Sequence, residues 1–245
     1  KVEHSFFNQF EQIILAVGRF EWQKDYDTLL KAFQKVTHIN NNVGLFILGK
    51  GPLESHYRAM VSEMQLDDKV CFAGFDKNPF KYMAAADIYV LSSRHEGMPG
   101  TLVQALACGA ASVSTDCPTG PNELIADGEN GYLVNVGDDI AMSERILHLL
   151  ENHDLRSKFS IAAPKAVQSY TEENGVQSYF DFLVRTLVRM IFWFWRVKPF
   201  IKKSLSGVDK VLLLNDAAFP GDRICKWLKR KSIPFYLMQE GIRFP

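Results

Sequence analysis

Short apolar runs alternate along the chain with stretches whose apolar residues recur at helical spacing. Residues 13–17, 43–48, 70–73, 88–91, 111–115 and 132–134 are brief and rich in aliphatic side chains, as buried strands are. Between them, Tyr26, Leu29, Leu30, Phe33 and Val36 fall on one helical face, and Leu53, Tyr57, Met60, Val61 and Met64 on another. A short helix is expected over 80–84, one over 101–107, and a mostly helical run over 140–195. Strands alternating with helices predict an α/β fold, a Rossmann-like parallel sheet with helices on both faces. Ligands of such sheets sit at the carboxyl ends of the strands, where the strand order reverses. The loops that matter are therefore 18–24, 49–53, 74–78, 92–100 and 116–122, all rich in Gly, Pro or charge.

The pattern changes after residue 203. Leu205-Ser206-Gly207 reads as a linker, followed by a strand at 211–214, a helix at 222–231 and a strand at 234–238. The expected organisation is a Rossmann-like domain over 1–184, a basic aromatic helix or linker over 185–205, and a partial β-α-β unit over 206–245. A unit of about 40 residues cannot bury a stable core alone, so it docks on the first domain or begins a second one. The segment 185–203 mixes Trp and Phe with Arg and Lys. It can pack its aromatic stripe on a neighbouring domain or lie on an anionic membrane surface.

Composition narrows the function classes. Among 245 residues, 28 Lys and Arg balance 28 Asp and Glu, which gives no overall pull toward nucleic acid. The four cysteines, Cys71, Cys108, Cys117 and Cys225, form no C-x-x-C pair, and the expectation is reduced thiols without zinc. His95-Glu96 opens like a zinc-protease motif, but no second His follows, so no metal is expected there. Residues 1–12 hold no signal-peptide core, and no apolar run reaches the roughly 18 residues of a membrane span. A cytoplasmic protein is expected, with peripheral contact at the inner face of a membrane through 185–203 as the alternative.

Arg19 and Lys24 lie between a strand end and a helix start, where a fork of donors and a compact point charge can neutralise a diphosphate. The plainer reading is two solvated loop cations. Asp25-Tyr26-Asp27 spells D-x-D, but at a helix start both acids read as caps or first-turn charges. Gly49-Lys50-Gly51-Pro52 lacks the length and ending of a phosphate loop, and reads as a turn with Pro at a helix start. The most informative stretch is 92–125. Glu96 follows a strand, Gly97 and Gly100 leave backbone accessible, and a helix beginning near Thr101 offers free amides to a phosphate. Gln104 closes that first turn, and Thr119-Gly120-Pro121-Asn122-Glu123 opens another helix.

These pieces, taken together, resemble the C-terminal domain of the family 4 retaining glycosyltransferases (glycosyl transferases group 1), which have the two-domain GT-B fold. The resemblance runs over residues 13 to about 182. It rests on the VGR…K stretch, the LGKGP turn, the AGF loop, the EGMP loop and the DCPTGPNELI…DGENGYLV stretch. It implies that the chain binds a nucleotide diphosphate sugar, such as a UDP-sugar, as substrate and needs no cofactor. Arg19 and Lys24 would then contact the diphosphate and Gly74-Phe75 the base, while Glu96 and the amides of 97–100 hold the sugar. The implied donor-binding set is Gly18, Arg19, Lys24, Gly74, Phe75, Glu96, Gly97, Met98, Pro99, Gly100, Thr101 and Gln104, with Glu96, Arg19 and Lys24 carrying catalysis.

Two positions depart from the family pattern. Gln104 stands where a second Glu usually binds the ribose, and Gly100 where Asn is frequent. A charged acceptor is the stronger one, about 1.5–3 against 0.5–1.5 kcal/mol, so donor affinity is what the change at Gln104 bears on. The run 115–123 is most similar to enzymes adding N-acetylhexosamine or related hexoses to lipid-linked glycans. Only twelve residues precede the first expected strand, too few for an acceptor domain, so the enzyme is expected to be incomplete without an N-terminal one. Two other readings stay open. One is a non-catalytic nucleotide-sugar-binding or interaction module, a degenerate half enzyme. The other, a sugar-nucleotide epimerase, fits less well because no clear acid–base pair is present.

Overall fold

Six aliphatic runs assemble into one parallel sheet. The computed structural model describes residues 2–170, Asn174, and the strands Val211–Leu214 and Phe235–Met238. The strands β1 (Gln12–Val17), β2 (Val43–Leu48), β3 (Val70–Gly74), β4 (Ile88–Leu91), β5 (Ser112–Thr115) and β6 (Tyr132–Val134) lie in the order β3-β2-β1-β4-β5-β6. Every neighbouring pair is parallel. All six residues of β2 are buried, which is why the strands read as unbroken apolar runs rather than alternating ones.

The period of two along each strand sorts these side chains onto two faces. Ile14, Ala16, Leu45 and Ile47 pack on one side with Leu29, Leu30, Phe33 and Val36 of α1 (Tyr26–Ile39). Tyr57 and Val61 of α2 (Glu54–Glu63) and Met142, Ile146 and Leu149 of α6 (Asp139–Glu151) complete that side. Ile13, Leu15, Phe46 and Leu48 pack on the other, against Tyr82 and Met83 at α3 (Phe80–Met83) and Leu102, Ala105 and Leu106 of α4 (Gly100–Ala107). Ala163 of α7 (His153–Ala166) joins the same cluster. A single turn, α5 (Pro121–Leu124), follows β5. The fold is the α/β, Rossmann-like sheet with helices on both faces that the pattern predicts.

Some local expectations are corrected. Pro52 does not start α2; it sits in the turn two residues before Glu54. The turn's glycine has a different reason: a Cβ on Gly49 would stand 1.9 Å from the Gly18 carbonyl oxygen. The loops after β1 and β2 thus lie backbone on backbone, joined by the Gly18 amide to Leu48 O at 3.0 Å and the Phe20 amide to Lys50 O at 3.1 Å.

The chain divides into two compact units, Lys1–Gly175 and Val176–Pro245. In the second, β7 (Val211–Leu214) and β8 (Phe235–Met238) pair in parallel. The expected segment 185–205 and the helix at 222–231 lie outside the described residues. Among the described residues, no helix is long and apolar enough to cross a membrane.

Candidate functional site

The strand order fixes where a ligand crevice opens. The chain runs β1, β2, β3 to one edge, then returns to lay β4 beside β1. Crossovers leave to opposite sides of that pair, so the gap lies at the carboxyl ends of β1 and β4. The loops above those ends carry Lys24 and Glu96.

After β1 the chain makes a short helical turn, Trp22–Lys24, and enters α1 through Asp25 in the left-handed conformation (φ 47°). This turn directs Lys24 across the gap. Its Nζ lies 2.6 Å from Oε1 of Glu96, with only 18% and 6% of the two side chains exposed. Ser93 Oγ donates to the same Glu96 oxygen at 2.6 Å. The Glu96 carbonyl accepts a short hydrogen bond from the Thr119 hydroxyl, which stands in the loop after β5. Thr115 Oγ1 donates to Ser93 O at 2.6 Å, and Ser92 Oγ to Lys24 O at 2.7 Å. Three strand-end loops therefore converge on one glutamate.

The loop beyond Glu96 is pressed from above. Gly120 has φ 94°, and a Cβ there would stand 2.4 Å from Pro99 Cδ. A side chain would be strained by its backbone and would push Pro99 away. Cβ atoms on Gly97 or Gly100 would instead meet nothing within 4 Å among the described residues. The expectation of free amides over 97–100 needs correcting. Pro99 has no N–H, and the Gly100 amide is turned onto Met98 O at 2.8 Å. Among the described residues, only the Gly97 and Met98 amides of this loop stay without a protein acceptor. The Thr101 hydroxyl accepts from Tyr89 on β4 at 2.9 Å, which orients it and leaves its own proton to donate. Burial raises the Tyr89 hydroxyl well above its ordinary pKa and keeps it a donor. The same holds for buried Tyr26, whose hydroxyl donates to Gly18 O at 3.2 Å and steadies the start of the β1 loop.

The other expected residues stand apart from this cluster. Arg19 leaves 75% of its side chain exposed and pairs with Glu21 at 3.1 Å. Phe75 is 69% exposed in the loop after β3. That loop is pinned by Asp76, which binds Lys81 at 2.8 Å and the Asn78 amide at 2.8 Å. The lysine contact, then the amide, hold the Asp76 carboxyl down to about 2. Gln104 lies half-buried on α4, its side chain in no hydrogen bond among the described residues.

The capping reading of Asp25 fails. Its side chain caps no backbone amide, because the left-handed turn aims the buried carboxylate inward. It accepts from Thr28 Oγ1 and from Arg94 Nη2, each at 2.8 Å. Asp27 stays in the first turn of α1 and meets His56 at 2.8 Å. Arg94 and Ser93 escaped the sequence reading, and Thr119 was read there only as part of a helix opening, without its contact to Glu96. A non-glycine at positive φ, Thr119 at 63°, leaves no mark in the sequence, and Arg94 meets Asp25 across 69 residues. Among the described residues, no three His, Cys, Asp or Glu side chains group so as to hold a metal ion. The thiols of Cys71, Cys108 and Cys117 are unpaired there, and burial raises each of them, which disfavours the reactive thiolate.

Comparison with known proteins gives this geometry a context. The family profile described as Glycosyl transferases group 1 matches residues 2–166. The chain is 34% identical over 160 residues to the N-acetylgalactosamine-N,N'-diacetylbacillosaminyl-diphospho-undecaprenol 4-alpha-N-acetylgalactosaminyltransferase of Campylobacter jejuni, covering 65% of this chain and 43% of that one. The crystal structure of an S. aureus TarM mutant with fondaparinux, alpha-GlcNAc-glycerol and UDP superposes with a TM-score of 0.67 at 25% identity. The match covers 71% of this chain and 35% of TarM. A C-terminal domain of a glycosyl transferase group 1 protein from Francisella tularensis shares the fold, with a TM-score of 0.62 at 22% identity, over 69% of this chain and 93% of that domain. The chain spans about a third to a half of the length of the curated relatives it matches.

Proposed function

Because this chain belongs to the glycosyl transferases group 1 family, we propose that it is the donor-binding half of a retaining glycosyltransferase. In this reading a hexose or N-acetylhexosamine passes from a nucleotide diphosphate sugar to a glycan or lipid-linked acceptor. The observation that carries it is the Lys24–Glu96 pair, 2.6 Å apart at the point where the strand order reverses. Lys24 neutralises the charge that grows on the departing diphosphate, and Arg19, exposed to solvent, closes on it from the loop's outer side. Glu96 accepts hydroxyl bonds from the sugar, while the open Gly97 and Met98 amides face its other oxygens. Phe75 offers an exposed ring to the base. The positive charge for the leaving group comes from side chains, with no metal or cofactor.

The named Campylobacter jejuni relative acts on a diphospho-undecaprenol acceptor, which supports a lipid-linked acceptor here and, with it, peripheral work at a membrane. The acceptor itself is held by an N-terminal domain, in keeping with the share of its relatives that this chain spans. Calorimetry with UDP-glucose and UDP-N-acetylglucosamine tests the donor site. The chain should bind one of them, and Lys24→Ala should weaken it about tenfold or more, since charge-assisted contacts are worth about 1.5–3 kcal/mol. Silence of the wild type toward both nucleotide sugars would overturn the reading. Gln104, in place of an acid, favours the second reading, a binding module without turnover. Binding without sugar transfer by an enzyme that includes its acceptor domain would establish it.

A further inference from the structure

The two loops that meet at Lys24 and Glu96 are joined by a second device beside the pair itself. Arg94 reaches from the β4 loop to Asp25, whose carboxylate is fully hidden. Its guanidinium also lies over the Trp22 ring, 5.0 Å from the centroid. Its backbone amide donates to Gln23 O at 2.8 Å, and the Gln23 side chain returns a bond to His95 O at 2.8 Å. Every residue of 22–25 except Lys24 thus touches Arg94 or its neighbour, and every such contact spans the same two loops. Asp25 has the left-handed backbone that few L-residues adopt, which turns its carboxylate toward Arg94. The Nε of Arg94 is buried and has no partner among the described residues. The guanidinium is thus held by the pair and the ring despite one unmet donor.

We infer that Arg94 is a positioning residue: with Asp25 and Trp22 it clasps the β1 and β4 loops together and sets the distance from Lys24 to Glu96. This rests on the donor reading above. A diphosphate and the sugar attached to it have a fixed separation, so the two groups that receive them must be held at a matching one. The Lys24–Glu96 pair cannot provide that itself, because its charges must turn to the ligand when the donor arrives. Arg94 and Asp25 keep their own partners throughout.

The test uses the Asp25→Asn/Arg94→Met double variant, which leaves no buried charge alone. Hydrogen exchange without ligand reads the clasp: the backbone amide at position 94 should exchange at least about tenfold faster than in the wild type, with β1 and β4 unchanged. Affinity for UDP-glucose and UDP-N-acetylglucosamine should fall about tenfold at a temperature where the variant is fully folded. Arg94→Lys, which keeps a cation beside Asp25, should recover part of both. Unchanged exchange, or unchanged affinity in a folded variant, overturns the inference, as does a loss of affinity that only tracks the unfolded fraction. A wild type that binds neither nucleotide overturns the donor reading and the positioning role with it, while exchange still reports whether the loops are clasped. If the double variant fails to fold, Trp22→Ala takes its place, since that ring is 64% exposed. It should lower affinity about threefold, the scale of an exposed cation–π contact, and no loss there overturns the clasp.

Discussion

The loops after β4 and β3 leave the same edge of one sheet, yet they are held in opposite ways. After β4, Glu96 is shared among Lys24, Ser93 and Thr119, which come from three different strand ends. After β3, Asp76 binds Asn78, Lys81 and Tyr82, all within six residues of itself. A local pin fixes the shape of a loop. A brace between loops ties separate strand ends to one another, which a local pin cannot do. The β4 loop is accordingly the one with its acid buried, and the β3 loop leaves Phe75 in solvent.

Removing one side of the brace should produce the largest effect. Lys24→Ala leaves the Glu96 carboxylate nearly buried and without its cation, and should cost about 3 kcal/mol, the low end for breaking a buried pair. Urea unfolding measures it, and a loss under about 1 kcal/mol would place this pair among ordinary surface bridges. A smaller break comes through Gly120→Ala. The added methyl meets Pro99 and holds a left-handed backbone, so about 1–3 kcal/mol should be lost. Thermal unfolding reads that cost, and an unchanged midpoint would mean that the β5 loop rests on the β4 loop without pressing it.

The smallest effect belongs to the local pin. The folded Asp76 carboxyl sits at about 2, below its ordinary value of 3.8, so what it contributes is present above the ordinary range. It is lost as pH falls through about 2. A carboxyl NMR titration should place its midpoint there, with the Asn78 amide shifting in step. A midpoint near the ordinary value would show that the β3 loop lacks even its local pin.

Much of this was legible in the sequence, for physical reasons that differ by residue. A parallel strand buried on both faces must be continuously apolar, so 43–48 and 88–91 announced themselves. Glu96 alone reads as a surface charge; it drew notice only as one of several motifs set in order at strand ends. Asp25 misled because helix starts favour acids, and the left-handed turn that aims it elsewhere is a tertiary outcome. Arg94 gave no signal, and Thr119 none of its contact to Glu96, since their partners lie 69 and 23 residues away. The Gly100 amide seemed available because sequence shows where amides are and not which carbonyl they meet.

The brace also bears on how the protein is assembled. Lys24 and Glu96 are 72 residues apart, with α1, β2, α2, β3, α3 and β4 between them. A chain that has paired only β1, β2 and β3 has half a sheet and no crevice, because Glu96 has nothing to stand against until β4 docks on β1. That docking closes a long loop, an entropic cost incurred before any contact across it is gained. Appearance of the Lys24–Glu96 pair during refolding is therefore a clock for the central crossover, and ligand competence should arrive with the second half of the sheet.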